Sequence, residues 1–435
     1  MSSLDSTVQK YLALYAEPAL QHLNLTQTPE FDSVLVLPIF DESTENLNRF
    51  LSLSGAQKKM MIWVFNCPDS ALAKEQQRTQ NVMHDYIRMF SAVELGQSAD
   101  GASGVYFAQL DDSLTVYILD RCSKGREIPA KQGVGLARKL GMDLGLKLID
   151  QQCFNGGESV AWLHSSDADV TLPPGYFNVC VPSETTSAII YPFEHQAESG
   201  FEQSMALYDF SLRYYVGQLK QAGSPYAFHT IGSLIAVTPL AYAQVRGMPK
   251  RAGAEDFYLL NKLAKVGQVV SLGLPVIQIR GRPSHRVPFG TGPSLVKLQE
   301  MDDSLAQYVF YHPEIFCALK HLLAIISEAA QPISSAVVLF GLLSERMPKE
   351  MAEHAISSLT VLNIEKQFMH LSQKKTAVQF IQGFHTWFDA FISLRFIHEM
   401  RDLAYPSINF SALKQYLNSS GVDVESYSKL TNLGI

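Results

Sequence analysis

The sequence lacks an excess of basic residues, closely paired cysteines and any long uninterrupted apolar run. Its 435 residues carry 35 Lys and Arg against 42 Asp and Glu, a formal net charge of −7, so the positive field of a nucleic-acid-binding protein is missing. The five cysteines include no CxxC pair, which argues against a disulfide framework or a zinc knuckle and favours reduced thiols. We expect no nucleic-acid partner and a reducing compartment.

Membrane-directing segments are also missing from the sequence. Met1–Pro18 has no basic region followed by an apolar one, so no secretory signal is predicted and we expect a cytoplasmic protein. Thr376–Ile397 is the longest mainly apolar stretch, but polar and charged residues interrupt it, which excludes a spanning helix. Its apolar residues recur at three- and four-residue steps, which predicts an amphipathic helix. Packing against other helices is the first interpretation, and peripheral contact with a membrane is the alternative.

Buried strands and helices alternate in the first two thirds of the chain. The strands are predicted from short apolar runs and the helices from three- and four-residue apolar spacing. The strand candidates are Val34–Ile39, Met61–Phe65, Thr115–Leu119, Val160–Leu163 and Pro275–Ile279, and the helix candidates are Ala71–Phe90 and Gly133–Leu148. This alternation predicts an α/β fold with an open, mostly parallel sheet and flanking helices.

The pattern changes near Lys297, after which long helical segments such as Met351–Ser372 predominate and no clear buried strand is found. We predict three parts: an N-terminal helical extension at 1–31, an α/β domain at 32–296 and an all-helical C-terminal domain at 297–435. No internal repeat of fixed period is present.

Two aspartates directly follow the fourth predicted strand. Asp167 and Asp169 are two residues apart, and the carboxyl ends of strands in open α/β sheets are where ligands bind. Carboxylate oxygens on a loop suit Mg²⁺ or Mn²⁺, which leave coordination positions for phosphate oxygens. The alternative is a strand-ending turn held by local hydrogen bonds from the Asp side chains.

Several segments, taken in order, resemble landmarks of family 2 glycosyltransferases and their GT-A relatives. They are VLVLPIFDES, GVGLARKLGMDLGL, WLHSSDADV and GAEDFYLLNKLAKVG, within Asp32–Arg286. The resemblance implies a GT-A fold, a UDP- or GDP-sugar donor, a Mn²⁺ or Mg²⁺ cofactor and transfer of the sugar to an acceptor hydroxyl. The acceptor, the sugar and the nucleotide are not indicated.

The resemblance also implies a donor-binding role for five residues. Asp41 and Glu42 would meet the nucleoside. At the turn after the second strand, where the family usually has an acidic residue, this chain has Asn66 and, three residues later, Asp69. Arg138 would face the diphosphate, for which its fork of donors is suited, and Lys139 would add a point charge.

The metal and the catalytic base are implied in the same way. Asp167 and Asp169 would hold the metal, with His285 as a third ligand. Glu255 or Asp256 would accept the proton of the acceptor hydroxyl, with Asp256 favoured because it ends the pair. The alternative for this pair is a structural role, since acidic residues commonly begin helices.

Three functions remain open from the sequence. The first is an inverting transferase, which needs a carboxylate base. The second is a retaining transferase of the same fold. The third is a catalytically idle GT-A domain that acts as an interaction module, for which the departure at Asn66 is the main support. Two single residues also have a structural alternative. Arg138 would then be a solvated helix residue with no role in binding, and His164 would be a structural histidine and not a ligand.

Overall fold

The chain has an α/β fold, with a large mixed sheet, many helices and a helical C-terminal region. The structure is a computed structural model that describes residues 3–21, 23, 25, 28–53, 57–97, 104–154, 161–178, 183–283 and 290–421. The predicted α/β class and the helical C-terminal region are confirmed at this level. The region after Lys297 is not all-helical, because Val309–Phe310 and Ile408–Asn409 form a short antiparallel pair.

The strands are short and are labelled in chain order. They are β1 (Ser33–Ile39), β2 (Lys59–Asn66), β3 (Val93–Gln97), β4 (Gly104–Gln109), β5 (Leu114–Arg121), β6 (Trp162–Ser165), β7 (Val170–Thr171), β8 (Thr186–Ile190), β9 (Phe193–Ala197), β10 (Ile235–Val237), β11 (Gln268–Ser271), β12 (Ile277–Gly281), β13 (Val309–Phe310) and β14 (Ile408–Asn409).

The helices alternate with these strands at first and then follow one another. They are α1 (Ser3–Leu14), α2 (Thr44–Leu51), α3 (Ala73–Met89), α4 (Gly133–Phe154), α5 (Glu202–Gln221), α6 (Pro239–Gln244), α7 (Glu255–Leu263), α8 (Thr291–Gln299), α9 (Ser304–Gln307), α10 (Pro313–Ser327), α11 (Ala336–Arg346), α12 (Lys349–Val361), α13 (Ile364–Leu371), α14 (Ala377–Trp387), α15 (Ala390–Leu403) and α16 (Phe410–Ser419).

The centre of the main sheet is parallel. Within the described residues its strand order is β11-β8-β10-β6-β1-β2-β5-β4-β3, and β6, β1, β2 and β5 are neighbours that all run in one direction. Strand β10 runs antiparallel to both β6 and β8. The carboxyl ends of β1, β2 and β6 therefore meet at one edge of the sheet, where polar loop residues gather.

Helix α4 packs closely on this parallel centre because two glycines face the sheet. A Cβ at Gly141 would lie 2.3 Å from Cγ1 of Val36, and a Cβ at Gly145 would lie 2.8 Å from Cδ2 of Leu163. Any larger side chain would push the helix away from β1 and β6. The glycines thus set the distance between the middle of α4 and the sheet, beginning three residues after Arg138.

Two predicted long helices are interrupted in the structure. Met351–Ser372 divides into α12 and α13 at Asn363, which adopts a φ of 60°. The amphipathic segment Thr376–Ile397 divides into α14 and α15 because Asp389 accepts hydrogen bonds from the backbone N–H groups of Phe391 and Ile392 and so caps a new helix. The apolar spacing continued through both breaks, so it did not reveal them.

The chain forms two compact units. One lies within Met1–Gln196 and Thr230–Arg280, and the other within Ala197–His229 and Gly290–Ile435. The second unit has its own apolar core, into which the Phe380 and Phe384 side chains of α14 pack, as the first interpretation of that segment requires. None of the described helices is long and apolar enough to cross a membrane. The predicted boundaries at 31/32 and 296/297 stay predictions.

Candidate functional site

Arg138 forms the centre of a buried cluster of charged and polar groups at the carboxyl end of β6. Its side chain is only 4% exposed. Nε donates to Oε1 of Glu255 at 3.1 Å, and Nη2 donates to Oδ1 of Asp167 at 2.5 Å. Nη1 donates to Oγ of Ser165 at 2.7 Å and to the backbone carbonyl of Ser166 at 3.0 Å. One guanidinium thus joins the loop after β6 to the start of α7.

The electrostatics of this cluster match its geometry. Burial alone would lower the pKa of Arg138, but the carboxylates of Asp167 and Glu255 raise it above its ordinary value. The side chain is therefore not a solvated helix residue. Four of the five N–H donors of a guanidinium are used by protein acceptors in these contacts. This leaves Arg138 arranged to position the acidic residues around it.

The loop after β6 presents Asp167 and Asp169 in a tight turn. The Ser166 N–H continues the ladder by donating to the carbonyl of Val36 at 3.1 Å, and the Val170 N–H then donates to the carbonyl of Asp167 at 3.2 Å. Both aspartate side chains are partly exposed. The Oγ of Ser166 is buried and has no hydrogen-bond partner in the structure, so this loop contains an unused polar atom beside Asp167.

The donor set suits a hard divalent cation only in part. Asp167 and Asp169 supply carboxylate oxygens, which Mg²⁺ and Mn²⁺ prefer, although one oxygen of Asp167 already accepts from Arg138. Among the described residues no group of three or more His, Cys, Asp or Glu side chains is arranged to hold a metal. His285 lies outside the described residues. Two carboxylates supply only part of the coordination sphere that such a cation takes.

Glu255 and Asp256 begin α7 but lie in different surroundings. Glu255 is buried and bonded to Arg138. Asp256 is partly exposed, and its Oδ1 accepts from the N–H of Phe257 at 2.7 Å. The carboxyl group is nonetheless poorly solvated. This desolvation, followed by the negative charge of Glu255, raises the pKa of Asp256 to about 7, although the hydrogen bond from Phe257 and the charge of Arg138 oppose the shift. Asp256 therefore carries a carboxyl group that can release or take up a proton near neutral pH.

The ends of β1 and β2 supply three more of the predicted residues. Asp41 has a φ of 53° and accepts two hydrogen bonds from Arg78, at 2.5 and 2.6 Å. Glu42 is buried and accepts from Nδ2 of Asn46 at 2.9 Å. Asn66 is also buried, and its Oδ1 has no hydrogen-bond partner in the structure. An unpartnered buried amide oxygen costs free energy, and this oxygen is enclosed by the protein.

Lys139 is not brought into this cluster. Its Nζ donates to Oδ2 of Asp143 at 2.9 Å, to the hydroxyl of Tyr11 at 2.7 Å and to the carbonyl of Tyr15 at 3.0 Å. These contacts bind α4 to α1, and the side chain is only 6% exposed. Adjacent residues on a helix point in directions about 100° apart, which separates Lys139 from Arg138. We assign Lys139 a structural role.

His164 has the surroundings of a core residue. It is buried on β6, and its ring lies 5.1 Å from the ring of Tyr176 and 5.2 Å from that of Phe177, measured between centroids. Burial lowers its pKa to about 3, so the neutral imidazole is the form present at ordinary pH. These contacts agree with the structural interpretation of His164.

Sequence reasoning missed four residues that shape the site. Ser165 and Ser166 accept hydrogen bonds from Arg138. Both directly precede Asp167, so their place in the same polar segment could have marked them as part of the site. Gly232 leaves room for the guanidinium, since a Cβ there would lie 2.6 Å from Nη2 of Arg138. Arg78, which pairs with Asp41, lies on a helix of mixed polar residues that gives no such signal.

Comparisons with known proteins do not add to this geometry. No protein-family model and no curated protein matches the chain.

Proposed function

We propose that this protein is a metal-dependent glycosyltransferase that moves a sugar from a nucleotide diphosphate to an acceptor hydroxyl, with inversion. The observation that carries the proposal is the Arg138 cluster. It joins Asp167, at the end of β6, and Glu255, which precedes Asp256 at the start of α7, in one hydrogen-bonded group. The resemblance to GT-A transferases implies that Asp167 binds the metal and that Glu255 or Asp256 is the catalytic base. The open, mostly parallel sheet supports the same fold.

The metal would be held by Asp167 and Asp169. A bound Mn²⁺ or Mg²⁺ supplies charge neutralisation at the departing diphosphate. Arg138 orients the Asp167 carboxylate through the hydrogen bond that Nη2 donates to Oδ1. We assign Arg138 this positioning role in place of the predicted contact with the diphosphate, because four of its donors already bond to the protein.

The base would be Asp256. An acceptor hydroxyl must lose its proton as the new glycosidic bond forms, and a carboxylate with a pKa of about 7 is ionised in about half of the molecules at neutral pH. Glu255 is the poorer candidate because Arg138 and the protein interior hold it. General-base assistance of this kind contributes about 10² to 10⁴ in rate. An inverting reaction uses such a base, which favours inversion over retention.

The nucleoside would lie over the ends of β1 and β2. The Oδ1 of Asn66 is buried and lacks a partner, and a side-chain rotation that exposed it would let it accept a hydrogen bond from the ring N–H that both uracil and guanine carry. Asn66 would then supply a neutral acceptor at the position where the family usually has an acidic residue. Asp41, which follows β1, is held by Arg78. A UDP-sugar and a GDP-sugar both satisfy this chemistry, so the nucleotide is a question for experiment.

A second candidate function has one observation in its favour. The tie between Asp167 and Arg138 is also what a purely structural buried ion network would show, as in a catalytically idle domain that binds partners. The two functions differ in ligand binding. An idle module has no requirement for a nucleotide or for a metal.

A thermal-shift panel of UDP- and GDP-sugars, each with and without Mn²⁺, tests the proposal. At a ligand concentration of about 100 times the Kd, binding stabilises the folded state by about 2.7 kcal/mol, which raises Tm by roughly 5 to 10 °C for a unit of this size. The shift should need both ligands and should disappear in Asp169→Asn. Asp112→Asn, an exposed aspartate outside the site, is the matched control. No shift with any donor favours the idle module.

A further inference from the structure

Four exposed cations gather between α6 and the end of α7. Arg246, Lys250 and Arg251 lie on the loop after α6, and Lys262 lies on α7. We call these four residues the basic patch. Lys262 Nζ donates to the carbonyl of Val245 at 3.4 Å, which holds it beside Arg246. The patch is a local concentration of positive charge on a chain whose net charge is −7.

The charge of the patch is mostly uncompensated. Lys250 pairs with Glu17 at 3.1 Å, whereas no carboxylate of the described residues forms an ion pair with Arg246, Arg251 or Lys262. Positive charges that are close together repel one another. Such a surface is stabilised when an anionic partner covers it.

Exposed apolar surface borders the patch. The guanidinium of Arg246 lies over the ring of Tyr15, 4.8 Å from its centroid, and Tyr15 and its neighbour Leu14 at the end of α1 are 37% and 65% exposed. Glu17, the partner of Lys250, also lines an open cavity of about 680 Å³. The apolar side chains in the cavity wall are Leu12, Ala13, Ala16, Leu20, Leu23 and Leu25.

We propose that this face binds the surface of a membrane rich in anionic phospholipid. The basic patch takes the headgroup phosphates, and Leu14 and Tyr15 enter the interface, where amphipathic aromatic rings and exposed leucines are favoured. A soluble polyanion would use the cations alone and would leave the neighbouring apolar residues in water. The combination of uncompensated cations with exposed apolar side chains favours a membrane. The inference goes beyond the proposed function and does not depend on it.

Co-sedimentation with vesicles tests this inference. The full-length protein is mixed with vesicles of phosphatidylcholine, with or without phosphatidylserine, at low and high salt. Each cation near an anionic surface strengthens binding about fivefold, so the triple variant Arg246→Gln, Arg251→Gln, Lys262→Gln should bind anionic vesicles about 100-fold more weakly. Binding should also weaken at high salt and on neutral vesicles.

Two further variants make the test specific. The matched control replaces three exposed lysines of the other unit, Lys366, Lys374 and Lys375, with Gln and should bind like the wild type. Leu14→Ser should bind more weakly at every salt concentration while its Tm stays unchanged, because the side chain is exposed. The inference is overturned if the wild-type protein does not sediment with anionic vesicles or if the triple variant binds equally well. It is also overturned if Leu14→Ser has no effect while heparin competes fully, which would indicate a soluble polyanion.

Discussion

Replacing Arg138 with methionine should destabilise the protein strongly. The substitution keeps the length of the aliphatic chain but removes the guanidinium that bonds to Glu255 and Asp167. Asp167 is partly exposed and can be hydrated again, whereas the Glu255 side chain is only 6% exposed and would be left as an uncompensated buried charge. Breaking a buried pair in this way typically costs about 3 to 5 kcal/mol. Most of this cost should therefore arise at Glu255.

A matched substitution separates this effect from the general loss of an arginine. Arg78→Met removes a guanidinium that makes two hydrogen bonds to Asp41, but the Arg78 side chain is 46% exposed. An exposed pair of this kind contributes about 0 to 1 kcal/mol. Adding Glu255→Gln to Arg138→Met should recover part of the lost stability, since the buried charge is then gone.

Equilibrium unfolding in urea measures these differences. The chain has three tryptophans, of which Trp63 and Trp162 lie in the first unit and Trp387 in the second. In a Trp387→Phe background, fluorescence therefore follows the unit that contains Arg138. If Arg138→Met unfolds within about 1 kcal/mol of the background protein, or if Arg78→Met costs as much, the cluster is not the buried ion network described here.

Two other predictions follow from individual contacts. Asp256→Asn should lower kcat by about 10² to 10⁴ and leave the Kd for donor, measured by calorimetry, unchanged. In the unmodified protein kcat should rise with pH through about 7, where Asp256 loses its proton. A kcat in Asp256→Asn equal to that of the unmodified protein would exclude Asp256 as the base. Lys139→Met should destabilise the first unit by roughly 3 to 5 kcal/mol, because it leaves the buried Asp143 carboxylate without its cation. The Kd for donor, measured by calorimetry, should stay unchanged. A large loss of donor affinity in a folded variant would instead show that Lys139 contributes to donor binding.

The parallel centre of the sheet was predictable because burial leaves a direct mark on sequence. The four strands of this centre are largely buried and were predicted from short apolar runs, and they are parallel neighbours in the structure. The antiparallel β10 was not predicted, since a three-residue strand is too short to show a period. The membership of α5 in the second unit depends on contacts distant in sequence, which spacing along the chain does not encode.

The candidate site was predictable in its residue types but not in its connections. The Asp167 and Glu255 positions were named from local motifs, whereas the cation between them was expected to face a diphosphate. Arg138 bonds to Asp167, which is 29 residues away, and to Glu255, which is 117 residues away. Local motifs give no information on contacts between residues so far apart in sequence. Lys139 shows the same limit, because the acidic and aromatic partners that hold it come from its own helix and from α1.

The most direct test of the proposed function is calorimetric binding of UDP and GDP to the wild-type protein and to Asp169→Asn, each with Mn²⁺ and with excess chelator. The proposal predicts that one of the two nucleotides binds the wild type only when Mn²⁺ is present, and that Asp169→Asn loses this binding with its Tm unchanged, since the residue lies in a loop. Binding that is independent of Mn²⁺, or equal in the variant, would contradict the metal site. Binding of neither nucleotide under any of these conditions would contradict the transferase.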